Sequence, residues 1–166
     1  MIPLTLKEIA EATGARLDGA DPDAIVSAVV TDSRAVVPGA LFVALPGERT
    51  DGSSFVRDAA RSGAAASLVS DERAPAEAGA LLRAADPLRA LGSLAEAVRA
   101  RLGCTVIGVT GSSGKTTTRD LIAAALSTEL RTVASASNRN NEIGVPLTIC
   151  SADETTQALV VERATP

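Results

Sequence analysis

The 166-residue chain is 46% hydrophobic, sets 16 Lys and Arg against 20 Asp and Glu, and contains two Phe but no His, Trp or Tyr. A net charge of −4 speaks against a nucleic acid or an anionic membrane held by bulk electrostatics. With histidine absent, chemistry here must rest on carboxylates, lysine, hydroxyls and backbone dipoles.

The length accommodates one large domain or two small ones, with a real core in either case. Cys104 and Cys150 stand far apart in apolar surroundings without metal-ligand spacing, so both are expected to be buried free thiols of a reducing compartment. No apolar run approaches the roughly 18 residues that span a bilayer, and the N-terminus has helical spacing with acidic residues where a signal peptide would be basic and then apolar. A cytoplasmic location is expected.

In chain order, Thr5 with Glu8 forms a capping-box pattern that predicts a helix over residues 6–13, stopped by Gly14. A short strand follows at 15–17. The β-branched run IVSAVVT predicts a strand at 25–31, broken by Asp32-Ser33-Arg34, and a second strand at 40–45 follows Pro38-Gly39. Asp51 or Ser53 can cap a helix reaching residue 62 with Gly63 as its stop, and strands are expected at 64–69 and 80–84. Asp86-Pro87 opens the clearest helix, whose stripe Leu88, Leu91, Leu94, Ala95, Val98 and Leu102 ends at Gly103.

The next stretch carries the chemistry. An apolar strand leads through Gly108 and Val109 into Gly111-Ser112-Ser113-Gly114, then Lys115, Thr116 and Thr117, then a helix to about residue 128 expected to bury Leu121, Ile122, Ala125 and Leu126. Glycines let such a loop turn its N–H groups onto phosphate oxygens, and the helix start adds its dipole. Lys115 would reach the β- and γ-phosphates of ATP, and the Thr116 hydroxyl would meet Mg²⁺. Val109 departs from the general phosphate-loop pattern, which has glycine there. The bland reading is a Gly/Ser loop before an ordinary helix, with Lys115 a solvated side chain. A strand at 131–134, a polar loop (SASNRNNEIGVPLTI) with a helix-like end, and a strand at 157–161 complete the chain.

Three segments together resemble the Mur ligase family, and within it the D-alanyl-D-alanine-adding branch: residues 31–52 (TDSRAVVPGALFVALPGERTDG), 108–122 (GVTGSSGKTTTRDLI) and 138–149 (NRNNEIGVPLTI). The shorter loop form G-S-x-G-K-T-T of that family accounts for Val109. The resemblance implies a ligation in which ATP phosphorylates the terminal carboxylate of UDP-N-acetylmuramoyl-tripeptide and the amine of D-alanyl-D-alanine attacks the acyl phosphate. It implies Lys115 as the catalytic cation, Gly111, Ser112, Ser113, Gly114, Lys115, Thr116 and Thr117 around ATP, and Thr116 with Glu162 on Mg²⁺. Ser33, Arg34, Asn138 and Asn141 become substrate contacts. Without the resemblance, Asp-Ser-Arg is a polar turn and the asparagines satisfy loop backbone. Two departures stand out: Ser53 where relatives often carry histidine, and Arg-Ala-Thr-Pro after Glu162.

The expected fold is α/β, with a small N-terminal α/β domain at 1–84 for the UDP precursor, a connecting helix at 85–103, and the first part of a parallel-sheet P-loop domain at 104–166. Alternating strands and helices imply parallel pairing. The chain is expected to be a monomeric N-terminal portion that does not turn over alone. Two other readings stay open: an unrelated P-loop nucleotide switch, disfavoured by the lack of an Asn-Lys-x-Asp run, and a non-catalytic UDP-sugar-binding module.

Overall fold

The computed structural model describes residues 1–47, 51–71, 79–136 and 142–162. It divides into two compact units: Pro3–Leu94, and Ala95–Pro166 together with Met1–Ile2. The fold is mixed α/β.

In the first unit the capping box forms as expected. The Thr5 hydroxyl accepts the Glu8 N–H at 3.1 Å, the Glu8 carboxylate accepts the Thr5 N–H at 2.8 Å, and α1 (Leu6–Thr13) follows. A five-stranded sheet runs in the order β2 (Arg16–Asp18), β7 (Leu81–Ala84), β6 (Ala66–Ser70), β5 (Ala40–Val43), β4 (Ala28–Val30). Strands β4 to β7 pair in parallel, whereas β2 joins the outer edge antiparallel. The parallel pairing expected from alternating strands and helices holds for β4 to β7; β2 is antiparallel because it enters from α1 without a strand–helix–strand crossover to β7 to dictate its direction.

The run at 25–31 is two strands, not one. β3 (Ile25–Val26) pairs antiparallel with β1 (Leu4–Thr5), while β4 pairs with β5. Ser27 separates them and gives its N–H to the Gly39 carbonyl at 3.1 Å. β5 is buried at all four positions, as a central parallel strand covered on both faces must be. Phe42, Ala44, Val56, Ala59, Val69 and Leu81 form a core cluster, in which burying each large aliphatic or aromatic side chain is worth about 1.5–3 kcal/mol. The helix expected from Asp51 to residue 62 begins as a 3-10 turn (Gly52–Phe55) capped by the Asp51 carboxylate, and becomes α2 (Val56–Arg61) only afterwards.

α3 (Pro87–Arg101) opens on the Asp86 carboxylate, which accepts the N–H groups of Leu88 and Arg89 at 2.9 and 3.1 Å. The division between the units falls inside this helix, after Leu94. The second unit contains β8 (Thr105–Val109), α4 (Lys115–Leu126), β9 (Thr132–Ala134), α5 (Gly144–Ser151) and β10 (Ala158–Glu162). Its sheet order is β8-β10-β9, with both outer strands parallel to β10. Cys104 and Cys150 are buried free thiols.

The face expected for α4 needs correction. Leu121 is 66% exposed and Ala125 is exposed too, while Ile122, Ala123 and Leu126 are half-buried and the one fully buried side chain is Arg119. At 100° per residue, Leu121 and Ala125 fall on the side of the helix opposite Arg119, whereas Ile122, Ala123 and Leu126 share its side.

Candidate functional site

The second unit brings several expected residues to the carboxyl ends of β8 and β10. Past Val109 the chain turns through Gly111 at φ 146° and Gly114 at φ 72°, backbone conformations that side chains with a Cβ rarely adopt. Gly114 is the residue before the first helical turn, and its carbonyl accepts the Thr118 N–H at 2.9 Å. Ser112, Ser113 and Thr117 are exposed around the turn, and Lys115 is half-buried. The Lys115 Nζ donates to the Gly111 carbonyl at 2.6 Å, so the ammonium lies across the loop.

Glu162 ends β10 and is almost fully buried, at 1% exposure. The Thr116 hydroxyl lies 3.1 Å from its Oε2 and 3.3 Å from its Oε1. Ser135, just past β9, fixes the strand end: its N–H donates to the Val160 carbonyl at 3.0 Å and its hydroxyl accepts the Glu162 N–H at 3.3 Å. Thr116 and Glu162, expected as metal contacts, are therefore neighbours although 46 residues separate them.

Arg119 is the residue that pattern reading missed. Its Nη1 donates to Glu162 Oε2 at 3.1 Å and to the Ala136 carbonyl at 3.3 Å, and its Nε and Nη2 donate to Asp120 Oδ1 at 2.9 and 2.6 Å. The signal available was spacing: Arg119 is i+4 from Lys115 and i+3 from Thr116, hence on their face of the helix.

Hard oxygen donors suit Mg²⁺, which is commonly held by one or two carboxylates with phosphate oxygens and water completing its shell. The Thr116 hydroxyl and Glu162 carboxylate, side by side next to a glycine turn, fit that chemistry. Among the described residues there is no group of three or more His, Cys, Asp or Glu that could hold a metal ion by itself.

In the first unit, Ser33 and Arg34 lie in a 3-10 turn (Ser33–Ala35) capped by Asp32. Arg34 donates through Nε and Nη2 to the Asp32 carboxylate at 2.9 and 2.7 Å, and its side chain is 88% exposed. That hydrogen-bonded guanidinium pulls the Asp32 carboxyl down to about 2, and the Arg34 pKa is raised in return. Asn138 and Asn141 lie outside the described residues. No described helix is long and apolar enough to cross a membrane.

Comparison with known proteins places both units in one family. The model of the Mur ligase family catalytic domain matches residues 25–101, and that of the Mur ligase middle domain matches residues 109–165. The UDP-N-acetylmuramoyl-tripeptide--D-alanyl-D-alanine ligase of Bacillus subtilis is 43% identical over 166 residues, covering 98% of this chain and 36% of that protein. MurF from Acinetobacter baumannii superposes with a TM-score of 0.86 at 34% identity, over 98% of this chain and 36% of its own. MurF ligase from Thermotoga maritima, solved in complex with ADP, gives a TM-score of 0.73 at 34% identity, over 84% of this chain and 32% of its own. The chain thus spans about a third of the length of the relatives it matches. With two Mur ligase models together matching most of its length, at residues 25–101 and 109–165, the chain belongs to the Mur ligase family.

Proposed function

We propose that this chain supplies the precursor-binding and ATP-phosphate-binding parts of an ATP-dependent ligase that joins D-alanyl-D-alanine to UDP-N-acetylmuramoyl-tripeptide in peptidoglycan precursor synthesis. The observation that carries the reading is the meeting of Lys115, Thr116 and Glu162 at the ends of two parallel strands, the place where open α/β sheets bind ligands. The 43% identity to a curated ligase of this specificity supports the choice of substrates.

In this reading residues 1–84 hold the UDP precursor, residues 85–103 connect, and residues 104–166 hold the ATP phosphates. Gly111, Ser112, Ser113, Gly114 and Thr117 surround the phosphates with loop and helix-start N–H groups. Lys115 leaves the Gly111 carbonyl for the transferring phosphoryl group, where neutralising charge is most of the catalytic task. Thr116 and Glu162 would hold Mg²⁺, which supplies charge compensation between phosphate oxygens. The tripeptide carboxylate takes the γ-phosphoryl group to give an acyl phosphate and ADP, and the amine of D-alanyl-D-alanine then displaces phosphate as the amide forms. Arg34 offers a planar fork to the diphosphate or uracil of the precursor, with Ser33 beside it, and Asn138 and Asn141 contact substrate. A cytoplasmic monomer is the working form.

Binding tests the reading directly. Calorimetric titration with UDP-N-acetylmuramoyl-tripeptide and with Mg-ATP is expected to show both ligands bound, with Mg-ATP binding lost in Lys115→Ala. A folded chain that does not bind the UDP precursor, yet binds Mg-ATP through Lys115, would replace this reading with a nucleotide switch. Mg-ATP binding that survives Lys115→Ala unchanged would remove the phosphate loop from it.

A further inference from the structure

Glu162 faces a problem that its neighbours in the site do not. Its side chain is 2% exposed, and a carboxylate withdrawn from water needs hydrogen-bond donors or a cation to hold it in place. The Thr116 hydroxyl does not settle its orientation. It carries a single proton and stands 3.1 Å from one carboxylate oxygen and 3.3 Å from the other, so it scarcely distinguishes the two.

Arg119 breaks that near-symmetry. Its Nη1 reaches Oε2 at 3.1 Å, and the same nitrogen is held by the Ala136 carbonyl at 3.3 Å. The opposite edge of the guanidinium is locked by Asp120 Oδ1 through Nε and Nη2. The group is thus pinned from α4 and from the chain just past β9 while it donates to Glu162. Its side chain is 1% exposed, so its planar fork is held by packing as well as by bonds.

We propose that Arg119 is a positioning residue of the Thr116–Glu162 pair, holding Oε2 of Glu162 toward the Thr116 hydroxyl and so raising the site's preference for Mg²⁺-loaded over metal-free nucleotide. The inference rests on the assignment of Thr116 and Glu162 to Mg²⁺ made above. It adds a role for a cation that does not touch the nucleotide and that a lysine could fill only in part, because an ammonium cannot span Asp120, Ala136 and Glu162 with one rigid fork. Groups behind a metal ligand commonly change metal affinity by about 10–100-fold when removed.

The experiment compares wild type, Arg119→Lys and Arg119→Met by calorimetry with ATP in excess Mg²⁺ and with ATP in EDTA, alongside crystal structures of the same proteins. The expected result is a Mg²⁺ preference reduced about tenfold or more in Arg119→Met, metal-free ATP affinity within about twofold of wild type, and partial recovery in Arg119→Lys. An Arg119→Met protein that melts earlier but keeps the wild-type Mg²⁺ preference overturns the proposal, since that is what charge compensation for folding alone would give. Should Arg119→Met not fold, Arg119→Lys decides by the same ratio. Wild type that binds no nucleotide strikes the phosphate-site assignment itself; the crystal structures then decide the positioning. A Glu162 carboxylate that keeps both Thr116 distances in Arg119→Lys sinks the proposal, and one that rotates away supports it.

Discussion

Nη1 of Arg119 stands 3.1 Å from Oε2 of Glu162, and the two side chains are 1% and 2% exposed. Removing the cation from such a buried pair takes the charged partner away from a carboxylate withdrawn from water, a loss of up to about 3–5 kcal/mol. Arg119→Met is therefore expected to lose stability in that range by urea denaturation. Glu162→Gln is expected to lose less, since Asp120 still holds the guanidinium, and the double variant less than the sum of the two singles. Strict additivity would show that the pair is not coupled in the folded protein.

Gly52 is a position where space, not φ, demands glycine. A Cβ there would sit 2.7 Å from the Leu45 carbonyl oxygen and 2.8 Å from the Leu45 nitrogen, both backbone atoms. The two residues are already joined by the Gly52 N–H donating to the Leu45 carbonyl at 3.0 Å, beside the Pro46–Asp51 bridge. Gly52→Ala must separate these strands of chain, at a cost of about 1–3 kcal/mol or more by analogy with overpacking. Thermal melting checks it, and an unshifted midpoint would contradict the close approach.

The Asp32 carboxyl is held at about 2 first by the side-chain hydrogen bond from Arg34 and then by the Arg34 backbone N–H. Its folded value lies below the unfolded one, so its contribution is present above pH 4 and lost as pH falls through about 2. Carbon-detected NMR titration is expected to place the Asp32 midpoint near 2 in wild type and closer to the ordinary aspartate range in Arg34→Ala. A wild-type midpoint near 4 would mean that the pair does not form in solution.

Burial pushes the Cys150 thiol up to about 12. The thiol is neutral in the fold where an unfolded chain would ionise it, so its contribution is complete below about pH 9 and fades as pH rises toward 12. Cys150 is 1% exposed, so a disulfide reagent at pH 8 is expected to reach it only through unfolding, at a rate that rises with urea. Immediate stoichiometric labelling of Cys150 in the native protein would contradict this.

Much of the fold could be read from local chemistry. The Thr5–Glu8 box, the Asp86-Pro87 helix start and the glycine turn before Lys115 each satisfy backbone groups within a few residues, and each appears where the sequence puts it. What could not be read depends on partners far along the chain. The apolar run at 25–31 shows strand character but not that Ile25–Val26 joins β1 while Ala28–Val30 joins β5. The inward face of α4 is set by where the loop delivers Lys115 and Thr116, which turns Arg119 in and Leu121 out; a count of apolar residues gives the opposite answer. Glu162 could be placed at a strand end, but its contact with Arg119 bridges 43 residues and no motif spells it.

The middle strand of the phosphate-loop sheet is the last of its three to be made. Among the described residues β8 and β9 each hydrogen-bond to β10 and not to each other, so these two strands are joined only once Ala158–Glu162 has left the ribosome. The first unit's parallel strands, by contrast, pair mostly with neighbours in sequence, and such local closure is quick. Synthesis therefore delivers the two halves at different times, and protease challenge of stalled nascent chains would show the first protected while the phosphate loop is still open to cleavage. The same short strand that carries Glu162 to Thr116 is what ties β8 to β9, so the pairing of Thr116 with Glu162 and the joining of those two strands come in one step.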